Sequence, residues 1–217
     1  MTRLLLIPLI SALVLQPVSP PELTPRFDQP SVAIINPEFR LPQNADSVVY
    51  VRQQPHGDNA GGCTSFAVRI AKQNIYITAQ HCVSNPPISI NKQPGTVILA
   101  DKDVDIAALS VPVQPKGVLS IGPEPAHTEQ CVGIGFVGGT PTFIVTRKAA
   151  QENTKVVWLP KFLPGMSGGP ILNHRGEVVG IIQNVGNPTS VFDIVAVSSS
   201  SGELKAFLKR VEIALKG

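Results

Sequence analysis

Charged and aromatic side chains are scarce in this chain, and no cluster of like charge makes up for them. Of 217 residues, 15% are charged and 5% aromatic, with one tryptophan and two methionines. The net charge of +3 is spread without a Lys/Arg run, which leaves no electrostatic footprint for nucleic acid and excludes it as the expected partner. The three cysteines and four histidines never fall at metal-ligand spacing, so neither a metal nor a cofactor is expected. No apolar run reaches the roughly 20 residues that a membrane-spanning helix needs. Glycine and proline are the abundant residues, 18 and 21 of them, and with the low charge they suit short strands joined by turns.

The amino end departs from that pattern. Arg3 precedes a mostly apolar stretch at residues 4–15, the layout of a secretory signal peptide. Gln16-Pro17-Val18-Ser19-Pro20 offers no small-x-small cleavage site. Residues 1–16 therefore read as a signal peptide or, if uncut, as a membrane anchor acting through residues 4–15. Either way export is expected, to a secreted, periplasmic or membrane-anchored location. Pro17, Pro20, Pro21, Pro25, Pro30, Pro37 and Pro42 then rule out a helix and predict an extended linker over residues 17–43.

Residues 44–217 form the body. Short β-rich runs at 47–52, 64–70, 75–78, 95–100 and 106–111 are followed by a Pro/Gly-rich stretch, 112–130. Further runs occupy 131–136, 143–149, 155–159, 170–172, 178–184 and 191–197. This pattern predicts an all-β barrel or sandwich in two groups, about 44–115 and about 128–198. The carboxyl end differs: Ser200-x-x-Glu203 is a capping-box pattern, and Leu204, Phe207, Leu208, Val211 and Leu215 recur at helical spacing. A helix over about 200–216, packed on the core, is expected.

Three motifs carry chemistry. In Gly165-Met166-Ser167-Gly168-Gly169-Pro170 the glycines permit a tight turn that aims the N–H groups of Gly165 and Ser167 at one point, as a serine nucleophile requires. Thr78-Ala79-Gln80-His81-Cys82 follows the apolar run Ile75-Tyr76-Ile77 and sets an imidazole, a ready proton acceptor near neutral pH, at a strand end. Asp103 and Asp105 offer carboxylates at the start of the run Ile106-Ala107-Ala108-Leu109, where one of them can orient a histidine. Singly, each motif has a structural reading as a surface turn, a core histidine or a strand-start aspartate. In the order His, Asp, Ser they point to nucleophilic catalysis.

With these motifs and with Val179-Gly180-Ile181-Ile182-Gln183-Asn184, the chain resembles the trypsin/chymotrypsin-like serine protease superfamily, in its compact bacterial and viral form, from about Val48 to Lys216. The resemblance implies two six-stranded antiparallel β-barrels with a C-terminal helix, and a serine endopeptidase acting on peptides or proteins. It assigns His81 as general base, Asp105 (favoured over Asp103, because the apolar run follows it directly) as the orienting acid, and Ser167 as nucleophile. Gly165 and Ser167 become the oxyanion donors, and Gln183, Asn184 and Val185 the edge that pairs with substrate. A disulfide between Cys63 and Cys82 is expected under the histidine, the alternative being two free thiols. Cys131 has no partner and reads as a small core residue. Met166 stands where digestive relatives carry an aspartate that pairs with a new amino terminus, so the turn must be held by other packing. Lys161 lies near the expected specificity pocket, where a basic residue would disfavour cationic substrate side chains, the alternative being a lysine that simply points into solvent. A protease-like domain that only binds peptides is the second reading.

Overall fold

Alternation of side chains along each strand decides where this chain buries its surface. Phe66, Val68 and Ile70 of one strand, with Ile75 and Ile77 of the next, enter one apolar cluster, while Ala67 and Tyr76 between them enter another. The sheet is thus apolar on both faces.

A computed structural model describes residues 47–53, 62–184 and 196–217. The signal or anchor segment, the linker, Val185 and most of the run expected at 191–197 lie outside the described residues. The first half contains β1 (Val48–Gln53), β2 (Gly62–Ile70), β3 (Gln73–Thr78), β4 (Ile88–Ile90), β5 (Gln93–Pro94), β6 (Thr96–Asp101) and β7 (Ile106–Ser110). The second contains β8 (Gln130–Val137), β9 (Thr140–Glu152), β10 (Lys155–Leu159), β11 (Pro170–Leu172), β12 (Val178–Asn184) and β13 (Ala196–Ser199), followed by α1 (Ser201–Ala214).

The second set closes into a six-stranded barrel, in the order β10-β13-β12-β11-β8-β9. The first is a seven-stranded antiparallel sheet, β5-β4-β1-β2-β3-β7-β6, which curls as a half-barrel. The fold is the chymotrypsin-like one expected, with two differences of detail in its first half. It is not closed by strand pairing among the described residues, and it has one strand more than six. The sequence pattern showed five runs here and missed β4 and β5, which are only three and two residues long, too short for a strand pattern to reveal them.

One core serves both halves. Phe66, Ile75 and Ile106 of the first half pack with Val132, Ile134, Leu172 and Ile181 of the second and with Leu204, Phe207 and Val211 of α1. The connector is stitched to each side: Leu119 N–H donates to the Ala67 carbonyl at 2.8 Å, and Val178 N–H to the Ser120 carbonyl at 2.8 Å. The helix forms where its apolar spacing predicts, and Ser200 caps it by accepting from Glu203 N–H at 3.1 Å. The reciprocal half of the capping box is absent. Ser200 N–H instead donates to the Thr154 carbonyl at 2.8 Å, and the Glu203 carboxylate faces Lys155. No helix among the described residues is long and apolar enough to cross a membrane.

Candidate active site

The register between β3 and β7 brings the first two candidate residues together. Thr78 pairs with Ala107, so the residue just before β7 lies opposite the turn that follows β3. That turn is a short 3-10 helix, Gln80–Val83, which carries His81 outward and buries Cys82 and Val83. His81 Nδ1 lies 2.9 Å from Oδ2 and 3.1 Å from Oδ1 of Asp105, and the His81 backbone N–H donates to Oδ1 at 3.0 Å. A carboxylate can only accept, so the proton sits on Nδ1 and Nε2 becomes the basic nitrogen.

Asp105, and not Asp103, meets the histidine. Asp105 adopts the left-handed conformation, φ +53°, which aspartate tolerates better than most residues. The turn before it is folded around Asp101, whose Oδ1 accepts from the N–H groups of Asp103 at 2.9 Å and Val104 at 3.3 Å. Arg210 of α1 pairs with the other oxygen at 2.6 Å. Burial alone would raise the Asp101 carboxyl. The hydrogen bonds from Arg210, Val104 and Asp103 outweigh that and hold it below its ordinary value.

Cys63 and Cys82 form the expected disulfide beneath the histidine. With His81 they place three ligand-type atoms within 4.8 Å of one another, but the sulfurs are bonded together and supply no thiolate to a metal. Cys131 is buried and unpaired, and burial, with the charges of Glu129 and Glu124, pushes its thiol up to about 12. It stays protonated and inert.

Ser167 sits on the loop before β11, and the loop is fixed from below by β2. Thr64 N–H donates to the Ser167 carbonyl at 2.8 Å. The Thr64 hydroxyl donates to the Gly165 carbonyl at 2.9 Å and accepts from Phe136 N–H at 2.9 Å. Thr78 in turn donates to the Thr64 carbonyl at 2.7 Å. Cys82 Sγ, which carries no proton in the disulfide, lies 3.7 Å from the Ser167 carbonyl oxygen, so the histidine turn packs against the serine loop.

Within the loop, the N–H groups of Met166, Gly168 and Gly169 donate to Leu163, Ile182 and Met166 carbonyls. No hydrogen bond among the described residues takes the N–H groups of Gly165 and Ser167, the two expected oxyanion donors. Gly165 (φ +94°) and Gly168 (φ +82°) need the conformational freedom of glycine. A Cβ at Gly165 would also collide with the Phe136 carbonyl oxygen. Met166 is fully buried with Trp158, Phe162 and Ile171, and its sulfur accepts from Leu163 N–H at 3.5 Å. This packing holds the loop without an acid at that position.

The trypsin-like peptidase domain model matches residues 63–181, more than half of the chain and a span that contains His81, Asp105 and Ser167. The chain belongs to this family. Among solved structures, the trypsin-like domain is similar to the active form of Rv3671c protease from M. tuberculosis, at 22% identity and a TM-score of 0.63, over 77% of this chain and 82% of that one. It is also similar to a serine endoprotease from Yersinia pestis, at 15% identity and a TM-score of 0.64, over 78% and 64%. The HtrA-type protease AlgW with decapeptide has 13% identity and a TM-score of 0.62, over 77% and 64%. At these identities the neighbours establish the fold. No curated protein matches the chain.

Of the expected substrate edge, Gln183 and Asn184 end β12, and Val185 lies outside the described residues. The Gln183 side chain is buried and turned toward the Asp105 turn. Lys161 is exposed, beside the buried Phe162. Thr64 was not legible as a site residue, because its side chain meets Gly165 and Phe136, 101 and 72 positions away.

Proposed function

We propose that this trypsin-like domain is a serine endopeptidase that hydrolyses peptide or protein substrates through an acyl-enzyme. The observation that carries the reading is the pairing of His81 Nδ1 with both carboxylate oxygens of Asp105. It is supported by a serine loop in which the N–H groups of Gly165 and Ser167 are not taken by a hydrogen bond among the described residues.

In this reading, Nε2 of His81 takes the proton from Ser167 Oγ as that oxygen attacks the substrate carbonyl carbon. The oxyanion is held by the N–H groups of Gly165 and Ser167. Asp105 keeps the imidazole in its tautomer and stabilises the imidazolium. The tetrahedral intermediate then expels the amine, which leaves with the proton from His81. Water, deprotonated by His81, attacks the ester and releases the acyl group with Ser167 restored. An extended substrate backbone pairs with the strand at Gln183, Asn184 and Val185. Export through residues 1–16 places the enzyme outside the cytoplasm, either released or tethered.

Cleavage of an unbiased peptide library by the purified chain tests the function. Wild type is expected to generate defined cuts and Ser167→Ala none. Equal cleavage by both proteins would refute the serine mechanism.

A further inference from the structure

The Asp105 turn is gripped from the second barrel by two side chains that no step above uses. Gln183 is buried, and every polar atom of its amide is engaged. Its Nε2 donates to the Val104 carbonyl at 2.5 Å and to the Asp105 carbonyl at 3.3 Å, while its Oε1 accepts from Lys155 Nζ at 2.7 Å. Lys155 also donates to the Val104 carbonyl at 3.3 Å, and Glu203 of α1 lies 3.9 Å behind it. The contacts reach from β10 and β12 to a turn 51 and 79 residues earlier in the chain.

The target of this grip is the turn that presents the carboxylate to His81. Asp105 has a left-handed backbone, a conformation less favourable for an L-residue than its ordinary ones. Relaxing φ toward an extended value would swing the carboxylate off the imidazole. The N–H side of the turn is held within the first half by Asp101. Its carbonyl side, Val104 and Asp105, has Gln183 and Lys155 as donors. We propose that Gln183 and Lys155 are positioning residues, a clamp from the second barrel that holds Asp105 in the conformation that orients His81. Gln183 therefore serves the catalytic acid with its side chain, and only its backbone is left for a substrate.

The proposal rests on the serine mechanism above, and a small alkyl fluorophosphonate separates the two. This probe reacts with an activated serine and has no peptide backbone to pair with β12. Wild type should be labelled at Ser167, and Gln183→Leu should be labelled about tenfold more slowly, through kinact and with KI unchanged. In an Asp105→Asn background the same substitution should add nothing, because its effect passes through Asp105. Lys155→Met leaves the Gln183 amide in place and should show a smaller loss, about threefold, with the same non-additivity. It is the deciding variant if Gln183→Leu lacks a cooperative unfolding transition.

Labelling of the folded clamp variants at the wild-type rate, or losses that multiply with that of Asp105→Asn, would overturn the clamp while leaving the serine mechanism standing. Wild type labelled no faster than Ser167→Ala would overturn the mechanism itself, and the clamp with it.

Discussion

Replacing Thr64 by valine removes one hydroxyl and keeps the shape of the side chain. That hydroxyl donates to the Gly165 carbonyl and accepts from Phe136 N–H, both at 2.9 Å. Valine leaves both groups without a partner, while the backbone contacts of residue 64 with Ser167 and Thr78 remain. An unsatisfied buried group costs about 1–3 kcal/mol. Both bonds are only partly buried, so each takes the low end, and the variant should lose about 2 kcal/mol of stability. The Gly165 carbonyl also becomes free to rotate, and with it the neighbouring peptides that carry the proposed oxyanion donors. Deleting one such donor outright costs about 100- to 1000-fold in rate, so a loosened one should cost about tenfold. Urea unfolding reads the first effect and the rate of fluorophosphonate labelling the second, with Thr64→Ser expected to restore the rate. A Thr64→Val protein within about 0.5 kcal/mol of wild type and labelled at the same rate would refute the reasoning.

Gly165→Ala should fold poorly or label at least about 100-fold more slowly, because φ +94° and the Phe136 carbonyl both exclude a Cβ; a near-normal rate by the same labelling assay would contradict this. The lowered carboxyl of Asp101 stabilises the fold at pH values above its ordinary 3.8, and that contribution is lost as the pH falls through the lower folded value. Arg210→Met should therefore have a lower urea midpoint than wild type at about pH 7, and the gap should shrink as the pH falls below 3.8, whereas a gap of constant size would be inconsistent with the Asp101 pairing. Cys131, with its thiol raised to about 12, should resist iodoacetamide in the native protein and react on unfolding, as intact mass would show.

What was legible in the sequence was local. Short β-rich runs bounded by turn residues placed β10, β11 and β12 at their observed bounds, and the spacing of Leu204, Phe207 and Val211 located α1. The His81 and Asp105 motifs were readable because each occupies a strand end, and the β3–β7 register then sets them side by side. Distant partnerships were not legible. Thr64 meets Gly165 across 101 positions, and nothing in Cys63-Thr64-Ser65 signals it. Gln183 sits in an apolar strand, where family likeness suggested a role at the substrate edge. Its side chain meets the Val104 and Asp105 carbonyls 79 and 78 positions earlier, a partnership that the residue types do not encode. Glu203 followed the capping-box pattern only in part, since Thr154 had already taken the Ser200 N–H and Lys155 draws the carboxylate away.

The central claim is that Ser167 is a nucleophile activated by His81 and Asp105. Incubation of the native chain with a fluorophosphonate, followed by peptide mapping, tests it most directly. The expected result is a single adduct on Ser167, lost in Ser167→Ala and in heat-denatured protein, and formed several orders of magnitude more slowly in His81→Ala. An adduct on another residue, or labelling of Ser167 that is indifferent to His81, would contradict it.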